Sequence, residues 1–485
     1  MSINPFGLLF AIIEGCIICY IVYTSDKNER WSPDGEKPLY TPYVSCLNLP
    51  TVLCSMSIIS MIFFDMKTSI QKTIGFNFSI FLQIFLYYFI LIPCLPLLRK
   101  FISARTCSIL WLIPSYMYIM QNETFAVNKP IFILSVPYFW VKTLFVIWII
   151  GFWAVMILKI VSHIKFRRYI LENSSQITDK NIIDIWYDEL ERSRLHKTDY
   201  PLLKSNVVKT PISIGLFKSK IFVVLPEKAY TDDDLRLIFR HEIVHIGRDD
   251  SSCKFYHMFC TAVCWFNPLM WFAMRKSADD IELSCDETVL LDADNGTRAR
   301  YASLILETAG DERGFTTCLS SSATALRYRL KNIVKPNKKF TGVVIVGLIF
   351  VVMYMTTGHT ALVYGDYTGK DIIFSSSDME KFKLNSVSFT PNTQTYICND
   401  ETALTEYLSN LKIQNISGVY TFEKDKKHSF TISYKTPDNF ITISLFSNFI
   451  EVQPRISDFD YYYLPDGVDF DKLHELITVN SSANR

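Results

Sequence analysis

Six stretches of the chain run nearly free of charge: Phe6 to Tyr23, Cys46 to Phe64, Phe76 to Leu98, Cys107 to Met120, Thr143 to Val161 and Thr341 to Thr356. A membrane crossing needs about 20 apolar residues, or slightly fewer with anchoring flanks, so the pattern predicts six spans. Within the polar block between the fifth and sixth, Asn181 to Arg192 has the spacing of an amphipathic helix. Pro211 to Leu225 (PISIGLFKSKIFVVL) predicts a hairpin turning near Lys218 to Lys220, ended by Pro226. Thr231 followed by Asp232, Asp233 and Asp234 supplies an N-cap and an acidic first turn. The helix they open runs through Leu237, Ile238 and His241 to about Ile246. Arg275 to Leu291 predicts a further helix. Beyond about Asp371, alternation in Ser386–Thr390, Ser429–Tyr434 and Phe440–Phe446, with helical patterns near Thr402–Leu411 and Asp469–Ile477, predicts a small α+β domain with a mainly antiparallel sheet.

A 49% hydrophobic content over 485 residues fits a chain solvated largely by lipid. No Lys or Arg precedes the first apolar run, and Glu14 interrupts it, which argues for a span rather than a cleaved signal peptide. Basic residues gather at Arg99, Lys100 and Arg105, at Lys159 to Arg168, and from Arg327 to Lys339. With six spans all three clusters fall on one side, the cytoplasmic one. The expected domains are two N-terminal spans (1–64), three further spans (65–161), a cytoplasmic block (162–339), a final span (340–357) and an extracellular α+β domain (358–485). A net charge of +1 speaks against a nucleic-acid surface. Of the twelve cysteines only Cys398 falls in the external tail, so no disulfide framework is expected.

The predicted helix after Thr231 carries HEIVH, which sets His241 and His245 four residues apart, one turn above the other on a single face. Two imidazoles so placed meet one zinc ion, and a catalytic zinc takes a third protein ligand while leaving a position open. Glu282 on the later helix supplies that carboxylate, and Glu242 stands beside the first ligand as a general base. Asp286, one turn from Glu282, suits an outer role in fixing a histidine tautomer, with Asp250 a second candidate. The plainer alternatives are a hydrogen-bonded surface pair for the two histidines and a solvated helix face for Asp279, Asp280 and Glu287. His257 reads as structural.

Four motifs in order, KTPISIGLFKSKIFVVLP, DLRLIFRHEIVHIGRDD, CWFNPLMWFAMR and IELSCDETVL, resemble the antirepressor metallopeptidases of the BlaR/MecR receptor type. RKFISARTCSILWLIP resembles a membrane segment of the same family, so the likeness runs from about Arg99 to Phe350. The resemblance implies a zincin-like domain of gluzincin type, with His241, His245 and Glu282 on zinc and Glu242 as base. It also implies a receptor that senses an outside ligand and inactivates a cytoplasmic transcriptional repressor, often with self-cleavage. Two N-terminal spans, about residues 6 to 64, precede the matching part. After Gly358 no Ser-x-x-Lys motif is followed by its usual partners, so sensing of a β-lactam by acylation is not implied.

The expected fold is therefore a multi-span α-helical membrane protein with a cytoplasmic α+β zincin-like metalloprotease domain and a small extracellular α+β domain. The expected function is a zinc metalloendopeptidase whose partners are the bilayer, a repressor substrate and an unidentified extracellular ligand, with room for a homodimer. A prenyl-protein or quality-control membrane protease, or a receptor with a purely structural zinc site, stays open as an alternative. Three finer readings stay open beside plainer ones: Gly314 to Ala325 as a self-cleavage segment or simply an exposed loop, Ile221 to Leu225 as a substrate-binding edge or an ordinary core strand, and Tyr461 to Tyr463 as lining an outer ligand site or, the favoured reading, as a strand facing core and solvent.

Overall fold

The computed structural model describes residues 5–29, 66–113, 132–193, 200–216, 220–308, 323–335, 339–356, 360–374, 382–390, 395–416, 429–435, 440–455 and 458–479, with a few isolated positions besides. The second predicted span, the tip of the predicted hairpin and most of the Gly314–Ala325 segment lie outside the described residues.

The described helices before the tail are, in chain order, α1 (Pro5–Asn28), α2 (Met66–Leu98), α3 (Ala104–Leu110), α4 (Tyr138–Glu172), α5 (Lys180–Glu191), α6 (Asp232–Arg248), α7 (Asp250–Val263), α8 (Pro268–Val289), α9 (Asn295–Thr308), α10 (Ala323–Val334) and α11 (Val343–Thr356), and the tail adds Gly369–Ile372, Glu401–Asn410 and Phe470–Glu475. Among the described residues two helices, over Ile80–Leu98 and Phe139–Glu172, are long and apolar enough to cross a membrane. Val343–Met353 is a shorter apolar helix that packs along α1. Small residues let those two approach: a Cβ on Gly347 would run into Cys19 Sγ, and one on Gly15 into Val351.

Four short strands, β2 (Ser174–Gln176), β3 (Leu202–Ser205), β4 (Ile212–Ile214) and β5 (Phe222–Pro226), form a sheet in the order β2-β3-β5-β4. β4 and β5 pair antiparallel, as the hairpin reading expects, and β5 also pairs parallel with β3. The expectation that Ile221 to Leu225 forms an open edge is thereby corrected, because β5 is central and β4 is the edge. The physical reason stands in the run itself. Val223 and Leu225 pack toward Trp186 and Phe239, while Val224 packs toward Ile170 and Leu203 on the opposite face. A strand covered on both faces reads as unbroken apolar sequence.

The tail builds a ten-stranded sheet that is antiparallel apart from one pair. That pair joins β6 (Thr360–Thr368) to β1 (Phe132–Val136), a strand from far upstream that feeds directly into α4. Tyr461 to Tyr463 lie on a strand over Asp458–Tyr463, where Tyr462 packs on the domain core and Tyr461 and Tyr463 pack on a smaller cluster on the other face. The tail does hold one Ser-x-x-Lys spacing, Ser409 to Lys412. Its two members are engaged apart, Ser409 Oγ donating to the Thr405 carbonyl at 2.7 Å and Lys412 pairing with Asp466 at 2.9 Å.

Candidate metal centre

Helix α6 begins at an N-cap whose Thr231 and Asp234 satisfy each other's backbone N–H groups, the reciprocal box that the sequence signals. Arg236 and Arg240 hold α6 to α5 through the fully buried Glu189, with Arg240 Nε 2.7 Å from its carboxylate. Asp249, in the left-handed region at φ 58°, breaks the chain between α6 and α7. The turn brings Asp250, the first residue of α7, back onto the metal helix, where its carboxylate accepts from His245 Nδ1 at 2.6 Å. Helix α8 starts earlier than its predicted Arg275, at Pro268, where the Asn267 side chain accepts from the Leu269 N–H and proline takes the first helical position.

The two metal helices turn their donors toward one point. His241 Nε2 and His245 Nε2 are 3.1 Å apart. Glu282 Oε2 is 3.5 Å from the first and Glu282 Oε1 is 3.6 Å from the second. Three donors about 2.0–2.1 Å from a tetrahedral zinc stand roughly 3.3 Å from one another, so the spacing fits that ion. Cys285 also lies close enough to form a ligand group with the two histidines. Its sulfur stands 3.2 Å from His241 Nδ1 and donates to the His241 carbonyl at 3.4 Å. Glu282 is the carboxylate within reach of both Nε2 atoms, and Cys285 is a second candidate third ligand beside it.

Electrostatics of the pocket favour positive charge at that point. Burial opposes a charged imidazole at His241, but Cys285 and Glu282 outweigh it and push its pKa up to about 10. His245 is also raised well above its usual value, as Cys285, Glu282 and Asp250 overcome burial. Burial would raise Glu282, yet His245, His241 and Lys254 hold its carboxyl well below the usual range. A divalent cation meets the same field.

Glu242 is buried, and the Ser213 hydroxyl of edge strand β4 donates to its Oε2. The expected outer roles are distributed differently from the sequence reading. Asp250 contacts a candidate ligand directly, whereas Asp286 Oδ1 stands 3.8 Å from His241 Nδ1. Tyr301 of α9 fills that gap, its hydroxyl 2.7 Å from His241 Nδ1 and donating to Asp286 at 2.8 Å. Arg329 of α10 then pairs with Asp286 through two bonds of 2.7 and 2.9 Å. Neither Tyr301 nor Arg329 carries a local sequence signal of this role.

The supposed solvated face of α8 is corrected as well. Asp280 is 1% exposed and accepts from Arg99 at 2.7 and 2.8 Å and from the Trp111 indole at 2.7 Å. Glu287 accepts from the Ala104 N–H at 2.9 Å and from Lys339 at 2.6 Å. Asp279 pairs with Lys276 at 3.1 Å. The basic residues that flank the membrane segments are what neutralise this face. His257 is buried, its Nε2 3.0 Å from Ser277 Oγ, and burial depresses its pKa to about 4.

Loss of the Asp250 carboxylate should weaken metal binding by about 10–100-fold in Asp250→Ala, since His245 would lose the partner that fixes its tautomer. Chelator competition on the purified variant checks this, and unchanged affinity refutes it.

Comparison with known proteins shows the family. Residues 57–333 match the family described as BlaR1 peptidase M56. The chain is also 25% identical over 187 residues to the Regulatory protein BlaR1 of Bacillus licheniformis, a stretch covering 38% of this chain and 30% of that relative. The two candidate membrane helices and the possible metal site thus stand in a chain that belongs to the BlaR1 peptidase M56 family of metallopeptidases.

Proposed function

We propose that the chain is a membrane-bound zinc endopeptidase that relays an extracellular signal by cleaving a cytoplasmic transcriptional repressor. The observation that carries this reading is the convergence of His241 Nε2, His245 Nε2 and the Glu282 carboxylate within 3.1–3.6 Å of one another, beside a buried Glu242. His241, His245 and Glu282 would hold a zinc ion, which when bound would supply Lewis acidity, bringing the pKa of an attacking water down to about 7 and polarising the scissile carbonyl. Glu242 takes the proton from that water and returns it to the leaving amine, while Ser213 fixes the carboxylate's rotamer. Since Ser213 lies on the edge strand β4, an extended peptide adding to that edge runs past the base. We assign the substrate edge to Ile212–Ile214 on that ground.

Orientation follows the basic flanks. Arg99 and Lys339 pair with acidic residues of α8, which places those flanks at the peptidase end of the helices. In the six-span arrangement that end is cytoplasmic and the tail is extracellular. The regulatory role named for the relative supports a signalling substrate. Removing metal with a chelator should abolish cleavage of a candidate repressor by the purified chain, and added zinc should restore it. Cleavage that survives chelation overturns the proposal.

A further inference from the structure

Arg248, the last residue of α6, is 4% exposed and crosses to α8, donating to Ser284 Oγ at 3.0 Å and to Thr288 Oγ1 at 2.6 Å. Ser284 and Thr288 are one turn apart on the helix that carries Glu282. The guanidinium therefore braces the helix bearing the two histidines against the helix bearing the carboxylate.

A buried cation needs an anion, and neither brace residue on α8 is one. The anion comes from the N-terminal helix. Glu29, immediately after α1 and 3% exposed, receives Arg248 Nη2 at 2.8 Å and Nε at 3.1 Å on a single oxygen. Arg105 of α3 donates to the same oxygen and to Ser25 Oγ of α1 at 2.5 Å. Residue 29 lies outside the stretch that matches the peptidase family, residues 57–333.

We propose that Glu29 is a positioning residue for the metal centre: the N-terminal helix contributes the charge that keeps Arg248 locked on α8, and so fixes the spacing between His241, His245 and Glu282. The proposal rests on those three residues holding zinc. It gives the end of α1 a part in the peptidase itself. Because α1 packs along α11, the helix that leads into the tail, Glu29 also stands where a shift of that helix pair would reach the metal ligands first.

The test uses the full chain in detergent and reads zinc affinity by chelator competition, kcat and KM on a peptide substrate, and amide hydrogen exchange at the end of α6 in the zinc-free protein. Glu29→Ala and Arg248→Met should each weaken zinc about 10–100-fold, lower kcat with little change in KM, and speed exchange in the zinc-free state. Glu29→Asp should recover part of each loss. Arg105→Met removes the other guanidinium of the cluster but leaves the Glu29–Arg248 pair, and should keep zinc affinity at the wild-type level. Should Glu29→Ala fail to fold, Glu29→Gln replaces it, with the same losses expected. Zinc affinity unchanged in a folded Glu29 variant, or weakened equally by Arg105→Met, overturns the proposal. A wild-type chain that binds no zinc overturns the metallopeptidase reading instead, and the exchange measurement still reports on the brace.

Discussion

Replacing Glu242 with Gln should lower peptide cleavage by about 10²–10⁴-fold while bound zinc stays at the wild-type level. Gln has the shape of Glu and retains an oxygen to accept from Ser213, so the packing of α6 against β4 is kept. What it lacks is basicity. Loss of proton transfer from the attacking water raises the barrier by about 3–5 kcal/mol, the equivalent of that rate loss. The measurement pairs zinc content with initial rates on a repressor substrate for wild type and variant. Equal rates would refute Glu242 as the base and favour a site that only braces the fold. A variant that has lost its zinc would show instead that Glu242 helps build the centre.

The second large effect is on stability. Arg329→Leu should destabilise the folded chain by about 3–5 kcal/mol, because it strands Asp286 as an uncompensated buried charge. The Arg329 side chain is 13% exposed and that of Asp286 2%, and besides the arginine only the Tyr301 hydroxyl is bonded to Asp286 among the described contacts. Arg329 also approaches Glu282 at 3.6 Å, so its loss reaches the metal carboxylate. A lower denaturation midpoint in detergent checks the direction. Asp286→Asn combined with Arg329→Leu should recover part of the loss, since the double change removes the stranded charge. Midpoints equal to wild type for Arg329→Leu would show that water or another cation already solvates Asp286.

The residues that act on their own helix were legible in the sequence; the residues that act across helices were not. Thr231, the three aspartates and the HEIVH spacing all encode α6 locally, because capping and one-turn neighbours are properties of a short window. The place of Glu282 on a helix was legible for the same reason, as part of a helical pattern. The start of that helix at Pro268 was hidden, because its Asn267 cap sits inside the apolar run CWFNPLMWF. Tyr301 stands 60 residues from His241, beyond the reach of any short window. Asp280 looked like surface because its partners, Arg99 and Trp111, lie about 170–180 positions upstream. The central place of β5 was within reach: four consecutive apolar residues from Phe222 to Leu225 fit a doubly covered strand better than an edge.

The parallel pairing of β1 with β6 bears on how the tail moves. β1 holds its register with β6 from Phe132 opposite Thr360 to Val136 opposite Tyr364. Only Pro137 separates β1 from α4, and three residues separate α11 from β6. The tail is consequently yoked to two helices rather than hung from one tether. A ligand that tilts this sheet must drag both helix ends in step, and a nick between α11 and β6 would leave the tail docked on β1.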